Sequence, residues 1–193
     1  MFRSESILLK NIANSIAAKS ELLKNKKIIE IFSKASNAVL NSYKFGGKIL
    51  IAGNGGSAAD AQHLAAEFVC KLTKDRKSLP AEALTTDTSV LTAIANDYGY
   101  KKIFSRQLES KAKPNDIFLG ITTSGNSENI LEAVKKCKNL KIKSLIFTGY
   151  KGGKVSKLAD YVITVPGEST MIIQELHIVL AHSLCEFIES NLT

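Results

Sequence analysis

Apolar residues recur at helical spacing over the first 45 residues of the chain. One series runs from Leu8 to Ile16, and a second runs from Ile28 to Leu40. Spacings of three and four residues place these side chains on one face of a helix. The pattern therefore predicts an N-terminal helical segment over residues 1–45, and the Gly46-Gly47 pair that follows is typical of a helix end.

Short apolar segments then alternate with helical patterns as far as the end of the chain. Strands are predicted over residues 48–52, 81–84, 117–122, 144–148 and 161–165. Helices are predicted over about 58–72, 90–95, 102–111, 128–138 and 170–192, with loops at 75–80 and 96–100. This alternation predicts an α/β fold with a doubly wound, mainly parallel sheet covered on both faces. We expect a single domain over residues 1–193, in which residues 46–193 form the α/β core and the C-terminal helix.

Two loops in this scheme are suited to an anion. Gly53-Asn54-Gly55-Gly56-Ser57 links a predicted strand to a helix, and so does Thr122-Thr123-Ser124-Gly125-Asn126-Ser127. Glycines let backbone N–H groups approach a ligand closely, and the N-terminus of the following helix carries a partial positive charge. Both loops follow the carboxyl ends of strands, where such sheets bind ligands. The sequence predicts a phosphate site there, although two tight turns without a ligand remain an alternative.

Two nucleotide-binding motifs fit these loops less well. A Walker A loop needs a lysine before its final Ser or Thr, and neither loop has one. Gly53-x-Gly55-x-x-Ala58 matches the loose dinucleotide fingerprint. That fingerprint also requires an acidic residue at the end of the next strand, whereas Glu82 lies at the start of its strand.

The composition indicates a cytoplasmic protein without a nucleic-acid or membrane partner. The 26 basic and 18 acidic residues give a net charge of +8, but the lysines are dispersed and no aromatic residues lie among them. No continuous apolar run reaches the roughly 20 residues that span a bilayer, and the N-terminus lacks a signal-peptide pattern. The three widely spaced cysteines predict neither a disulfide framework nor a thiolate zinc site.

The sequence resembles the sugar isomerase (SIS) domain family, and within it the phosphoheptose isomerases. The resemblance covers nearly the whole chain. It rests on AGNGGSAADAQHLAAEF, LTAIANDYGY, GITTSGNSENI, TGYKGGK and IQELHIVLAH. It implies the SIS fold and a homotetramer that converts D-sedoheptulose 7-phosphate to D-glycero-D-manno-heptose 7-phosphate, the first step toward the heptose of lipopolysaccharide.

The resemblance also implies roles for individual residues. The catalytic pair is Glu67 and His182. One zinc ion per subunit is held by His63, Glu67, Gln174 and His182. The residues that bind the sugar phosphate are Asn54, Gly55, Gly56, Ser57, Glu67, Asn96, Asp97, Thr122, Thr123, Ser124, Ser127 and Gln174.

These residue types suit the chemistry of an aldose–ketose isomerase. Moving a carbonyl between C1 and C2 requires a base for a carbon-bound proton and an acid that protonates oxygen. Glu67 and His182 have the right chemistry, and a metal would polarise the oxygens. His63 and Glu67 are four residues apart and face the same side of a helix, which in isolation also fits a surface ion pair. Asp97 and Glu175 are alternatives for acid–base duty.

The last helix contains two histidines, and they cannot readily face the same site. His177 and His182 are five residues apart, which separates them by about 140° around the helix axis. Family position favours His182, so we expect His177 to have a structural or supporting role.

The spacing of two proposed zinc ligands predicts an active site at a subunit interface. Gln174 and His182 are eight residues apart on one predicted helix, which separates their backbones by about 12 Å along its axis. Two side chains so far apart reach one ion more easily from different chains, as a closed symmetric oligomer allows.

A non-catalytic function is the alternative. Some SIS-domain relatives bind the replication initiator DnaA, and LTTDTSVLTAIAND resembles those proteins too. The presence of both Glu67 and His182 favours the enzyme.

Overall fold

In the computed structural model of the chain, residues 3–192 are described, and they form seven α-helices around five β-strands. The helices are α1 (Ser4–Lys24), α2 (Lys26–Lys44), α3 (Gly56–Val69), α4 (Thr88–Tyr98), α5 (Ile103–Lys111), α6 (Glu128–Leu140) and α7 (Thr170–Leu192). The strands are β1 (Ile49–Gly53), β2 (Ala81–Ala83), β3 (Ile117–Thr122), β4 (Lys143–Gly149) and β5 (Tyr161–Val165). Short 3₁₀ helices cover Tyr100–Lys102 and Lys154–Lys157.

The strands form one sheet in the order β2-β1-β3-β4-β5, and every pair of neighbours is parallel. The predicted doubly wound α/β class is confirmed. The strand order reverses between β1 and β3, which creates a crevice beyond their carboxyl ends.

Side chains alternate along each strand between two apolar layers. Ile49 and Ile51 of β1 face the layer that α2, α3 and α7 cover, whereas Leu50 and Ala52 face the layer under α5 and α6. A strand buried on both faces reads as a continuous apolar run, which is why the central strands were recognisable in the sequence.

The N-terminal helical segment consists of two helices that break at Asn25. The Asn25 side chain accepts a hydrogen bond from the N–H of Ile28 and caps α2. Whereas α2 packs against the sheet, α1 buries only Ser15 and Ala18. Six large apolar side chains of α1 are exposed, namely Ile7, Leu8, Leu9, Ile12, Ile16 and Leu23, whereas Leu22 is partly buried against the core.

Two helices differ from the sequence-based expectation by three residues at their C-terminal ends, whereas the other elements after residue 45 differ by two residues or fewer. The helix α3 ends at Val69 instead of Leu72. The helix α4 is longer than expected because Asp87 caps its start, its side chain accepting from the N–H of Val90, and Gly99 ends it with a φ of +82°. Asn96 and Asp97, which we expected in a loop, therefore lie in the last turn of α4.

The helix α7 has the predicted bounds. By length and composition alone it is apolar enough to cross a membrane, but half of that stretch is buried inside the fold. It is therefore a core helix here, packed against α2, α3 and the sheet.

His177 belongs to the buried face of α7. Its side chain is 1% exposed and its ring lies 6.1 Å from that of Phe147. Burial lowers the pKa of His177 from 6.5 to about 4. His177 is therefore a neutral core residue at physiological pH, in line with the structural role expected from the sequence.

We predict that His177→Phe weakens the dependence of stability on pH. Between pH 6.5 and 4 the unfolded chain binds a proton at His177 that the folded chain does not, so His177 makes stability fall as the pH falls through this window. Urea unfolding at pH 7.5 and pH 5 should show that the wild type loses about 2 kcal/mol more than the variant. Equal losses in both proteins would contradict the burial of a neutral imidazole.

Candidate active site

The two anion-suited loops lie side by side at the carboxyl edge of the sheet. Gly53 of β1 is the register partner of Ile121 of β3, so residues 53–57 and 122–127 leave neighbouring strands at the same height. They flank the point at which the strand order reverses, where folds of this class bind ligands. The predicted position of both loops is confirmed.

Glycines permit the backbone course of both loops. Gly55 has a φ of +56° and Gly125 a φ of +66°, a region that other residues rarely adopt. Gly55 and Ser127 are the N-cap residues of α3 and α6, and within the described chain neither makes a side-chain capping hydrogen bond. The first turns of both helices thus keep N–H groups suited to an anion.

Hydrogen bonds between side chains hold the two loops together. The side-chain amides of Asn54 and Asn129 bond reciprocally at 3.0 and 2.8 Å, and the Tyr100 hydroxyl donates to Asn54 at 3.0 Å. Asn129 is 2% exposed. The Asn54 side chain, expected to bind substrate, is therefore also the link between the loops.

Two of the four hydroxyl side chains of the second loop, those of Thr123 and Ser124, line a cleft. The hydroxyls of Thr122 and Ser127 bond at 3.1 Å, while the Ser124 hydroxyl accepts from the N–H of Asn126. Thr123, Ser124 and Asn126 line a cleft of about 730 Å³. Ser57, at the start of α3, is 3% exposed and lies behind the first loop.

Three further candidate residues converge beside α3. His63 and Glu67 are one turn apart on α3, and His182 reaches them from α7. The Nε2 atom of His63 lies 3.0 Å from Glu67 Oε1 and 3.4 Å from His182 Nε2. Within residues 3–192, these are the side chains with donor atoms close enough to one another, within 4.8 Å, to share a metal ion.

The spacing of these donor atoms fits a tetrahedral metal. Ligands that bind one zinc ion at its usual bond lengths stand about 3.4 Å apart. Two imidazoles and one carboxylate are a donor set that zinc accepts, and three protein ligands leave a coordination position open. The structure thus contains a His–Glu–His group capable of holding a metal.

Gln174 lies at the other end of α3. Its side-chain amide packs against Gly56, where it occupies the space that a Cβ atom would need. From Gly56 to His63 is about 10 Å along the helix axis. Within one chain, Gln174 therefore lies beside the first loop and outside the His63, Glu67 and His182 group.

The alternative acid–base candidates lie outside that group as well. The Asp97 carboxylate accepts from the Asn96 side chain at the exposed end of α4. Glu175 accepts from Ser15 and Lys19 of α1. Its hydrogen bond from Ser15, more than its contact with Lys19, lowers the pKa of the Glu175 carboxyl. Glu175 thus accepts hydrogen bonds from side chains of α1. The carboxylates of Asp97 and Glu175 are therefore both bound to other side chains of the fold.

Sequence reasoning did not identify Tyr100, Asn129 or Glu189. Tyr100 and Asn129 lie within motifs of the sequence, but their bonds to Asn54 depend on tertiary placement. Glu189, with an exposed fraction of 0%, pairs with Arg76 behind the His63, Glu67 and His182 group. In the sequence, a glutamate among the apolar positions of the last helix is the one local signal that indicates a buried cationic partner.

Known proteins resemble this chain over almost its full length. The SIS domain matches residues 11–149. A phosphoheptose isomerase from Clostridium acetobutylicum is 50% identical over 181 residues, covering 94% of this chain and 92% of that protein. The phosphoheptose isomerase 2 of Campylobacter jejuni is 48% identical over 182 residues, covering 94% and 90%.

Solved structures agree with the sequence relatives. The phosphoheptose isomerase of Francisella tularensis superposes with a TM-score of 0.93 at 35% identity, covering 98% of this chain and 100% of that one. That of Neisseria gonorrhoeae has a TM-score of 0.89 at 42% identity, covering 97% and 100%. The chain therefore belongs to the SIS domain family and, within it, to the phosphoheptose isomerases.

Proposed function

We propose that the protein converts D-sedoheptulose 7-phosphate to D-glycero-D-manno-heptose 7-phosphate through an enediol(ate), the first step toward the heptose of lipopolysaccharide. The observation that carries the proposal is the convergence of Glu67, His63 and His182 on a helix that begins at an anion-suited loop. Relatives named phosphoheptose isomerase, 48–50% identical over more than nine-tenths of the chain, support it.

The isomerisation needs two proton transfers at carbon and two at oxygen. Glu67 removes the proton from C1 of the ketose and returns a proton to C2. His182 donates a proton to the oxygen at C2 and accepts one from the oxygen at C1. The reaction is balanced because each group ends in the protonation state in which it began.

A zinc ion, one per subunit, fits the same residues. His63, Glu67 and His182 would hold it. A carboxylate that ligates through one oxygen keeps the other for proton transfer, and an imidazole that ligates through one nitrogen likewise keeps its other ring nitrogen. When bound, the ion would stabilise negative charge on the substrate oxygens. The fit of the donor spacing to tetrahedral zinc supports this assignment.

We assign the phosphate to the two loops. The contacts would be the backbone N–H groups of Gly55 and Gly56, the hydroxyl of Ser57 and the hydroxyls of the second loop. Hydroxyls and N–H groups hold a phosphate ester without activating water against it. The remaining sugar contacts are assigned to Asn54, Asn96, Asp97, Thr122, Thr123, Ser124, Ser127, Glu67 and Gln174.

The length of the substrate favours a site shared between subunits. Gly56 and Glu67 are about 16 Å apart along α3. Six carbon–carbon bonds of the heptose span about 8 Å when extended. The distance from the phosphate loop to Glu67 would be shorter if the loop of one subunit faced the Glu67 of a neighbouring subunit. Gln174, which lies beside the loop, would then face the neighbour's His182, as the sequence analysis expected.

An exposed apolar surface supports assembly. Ile16, Leu23, Ile29 and Val179 remain exposed around a groove of about 630 Å³ between α1, α2 and α7. Such a continuous apolar surface is typical of an interface between subunits. We propose a homotetramer in the cytoplasm.

The non-catalytic alternative finds no support here. The relatives described above are named as isomerases, and no observation on this chain favours binding to DnaA over catalysis.

Glu67→Gln should reduce turnover by about 10²–10⁴-fold while substrate binding stays measurable, because the amide keeps the shape and loses the base. Conversion is followed by NMR and binding by calorimetry. Glu109→Gln, which removes an exposed carboxylate paired with Lys136, is the matched control and should leave turnover unchanged. Near-wild-type turnover in Glu67→Gln would exclude Glu67 as the base.

Ser124→Ala should raise KM about 10-fold or more, because it removes a hydrogen bond to a charged phosphate. Ser110→Ala provides the control, since the Ser110 hydroxyl donates to a carbonyl of its own helix. If steady-state kinetics give the same KM for both variants and the wild type, the second loop does not bind the phosphate.

Removal of metal with a chelator should lower activity, and added zinc should restore it. Elemental analysis should find one zinc ion per subunit in the wild type and a large loss in His63→Ala, which lacks one of three ligands. Full activity in a preparation free of metal would show that the ion has no part in catalysis.

Mixing inactive variants tests the shared site. After subunit exchange, Glu67→Gln and Ser124→Asp chains should recover activity, because some sites then combine an intact loop with an intact Glu67. Glu67→Gln mixed with His182→Ala should not recover, since one chain supplies both residues. Recovery only in the second mixture, or in neither despite demonstrated exchange, would contradict the shared site.

A further inference from the structure

The end of α3 that carries Glu67 is closed by an arginine from the following loop. The Arg76 guanidinium donates hydrogen bonds of 2.8 Å to the backbone carbonyls of both Glu67 and Phe68. Carbonyls in the last turn of a helix lack partners within the helix, and a cation there is favourable. Arg76 thus holds the backbone of the proposed catalytic base itself.

Arg76 is in turn bound to α7. Its Nε atom donates to Glu189 Oε1 at 3.0 Å, and the two side chains are 2% and 0% exposed. Glu189 also accepts from the N–H groups of Leu72 and Thr73. Burial alone would raise the pKa of Glu189, but these backbone hydrogen bonds outweigh it and lower the pKa to about 2. The pair is therefore ionised and fully enclosed.

Glu189 shares a face of α7 with His182. The two are seven residues apart, which amounts to two turns, about 10 Å along the axis and about 20° around it. Arg76 and Glu189 therefore connect the backbone of Glu67 to the helix that supplies His182. The anion loops lie at the opposite end of α3, outside this connection.

We propose that Arg76 and Glu189 are positioning residues for the isomerisation, which set the register of α3 against α7 and thereby the placement of Glu67 relative to His182. The proposal rests on the proposed function. Arg76 caps the last turn of α3 at the carbonyl of Glu67 itself, so that a change in its position moves the backbone of the proposed base.

Arg76→Lys is the principal test. One ammonium group cannot reproduce the planar set of bonds to Glu189, Glu67 and Phe68. We expect kcat to fall about 10–100-fold and zinc affinity, measured by competition with a chelating dye, to fall by a similar factor. KM should change less than threefold, because the phosphate loops are remote.

Asp116→Asn is the control for a general loss of stability. Asp116 is 3% exposed and accepts from the N–H groups of Lys48 and Lys113 at the opposite edge of the sheet. At a temperature where circular dichroism shows both variants folded, Asp116→Asn should keep its kcat. An equal fall in kcat for both variants would overturn the proposal.

A double variant separates this inference from the proposed function. If Arg76 acts through Glu67, adding Arg76→Lys to Glu67→Gln should not lower the residual rate further when both proteins are saturated with zinc, as overnight NMR conversion would show. A multiplied loss would overturn the positioning role. High turnover in Glu67→Gln alone would instead refute the catalytic assignment of Glu67. If Arg76→Lys does not fold, Glu189→Gln replaces it. The same falls in kcat and zinc affinity, and the same unchanged residual rate in combination with Glu67→Gln, are then expected of Glu189→Gln.

Discussion

The packing of α3 alongside α7 is the contact on which the proposed chemistry depends. Both helices start at the carboxyl edge of the parallel sheet, after β1 and β5, and cover the same face, so they run in the same direction. They touch at two places, where Gln174 packs against Gly56 and where His182 lies near His63. A third contact joins Glu189 of α7 to the residues that follow α3. At the first contact the Gln174 amide fills the position that a Cβ atom at residue 56 would occupy. A shift of one helix along the other would separate Glu67 from His182.

The parallel sheet positions the two loops that we assign to the phosphate, which form the other half of the proposed site. Since β1 and β3 are neighbours at the reversal of strand order, their loops meet, and the reciprocal amide bonds of Asn54 and Asn129 hold them together. The loops lie at the first turn of α3, and the His63–Glu67–His182 group lies two to three turns further along it. In our proposal this separation links catalysis to assembly. The extended heptose is shorter than the distance from the loop to Glu67 within one chain, so the substrate is bound more easily between two subunits. In the same proposal, the exposed apolar side chains of α1 would provide the surface for that assembly.

Local patterns predicted most of the fold. The bounds of β3, β5 and α7 agree with the sequence analysis, since apolar runs and proline or glycine breaks mark them. Local caps and a nonlocal contact explain the exceptions. Asp87 and Gly99 set the bounds of α4. The last turn of α3 is bound by Arg76 from the following loop, and the residues beyond it are bound by Glu189, which is distant in sequence. Motif resemblance identified His63, Glu67 and His182, which the structure brings together, but it grouped Gln174 with them. The position of Gln174 depends on the register of two helices, which no local pattern encodes.

The most direct measurement of the central claim is the NMR spectrum of the purified protein with sedoheptulose 7-phosphate in D₂O. A base that takes a proton from C1 and returns one to C2 through an enediol(ate) exchanges it with solvent in a fraction of the turnovers, so deuterium accumulates as the reaction runs in both directions. We therefore predict that the ketose is converted to an aldose 7-phosphate in which deuterium builds up at C2 over many turnovers. Absence of conversion with zinc-loaded protein would contradict the proposed function, and an equilibrium mixture without deuterium at C1 or C2 after many turnovers would indicate direct hydride transfer and contradict the enediol(ate) mechanism.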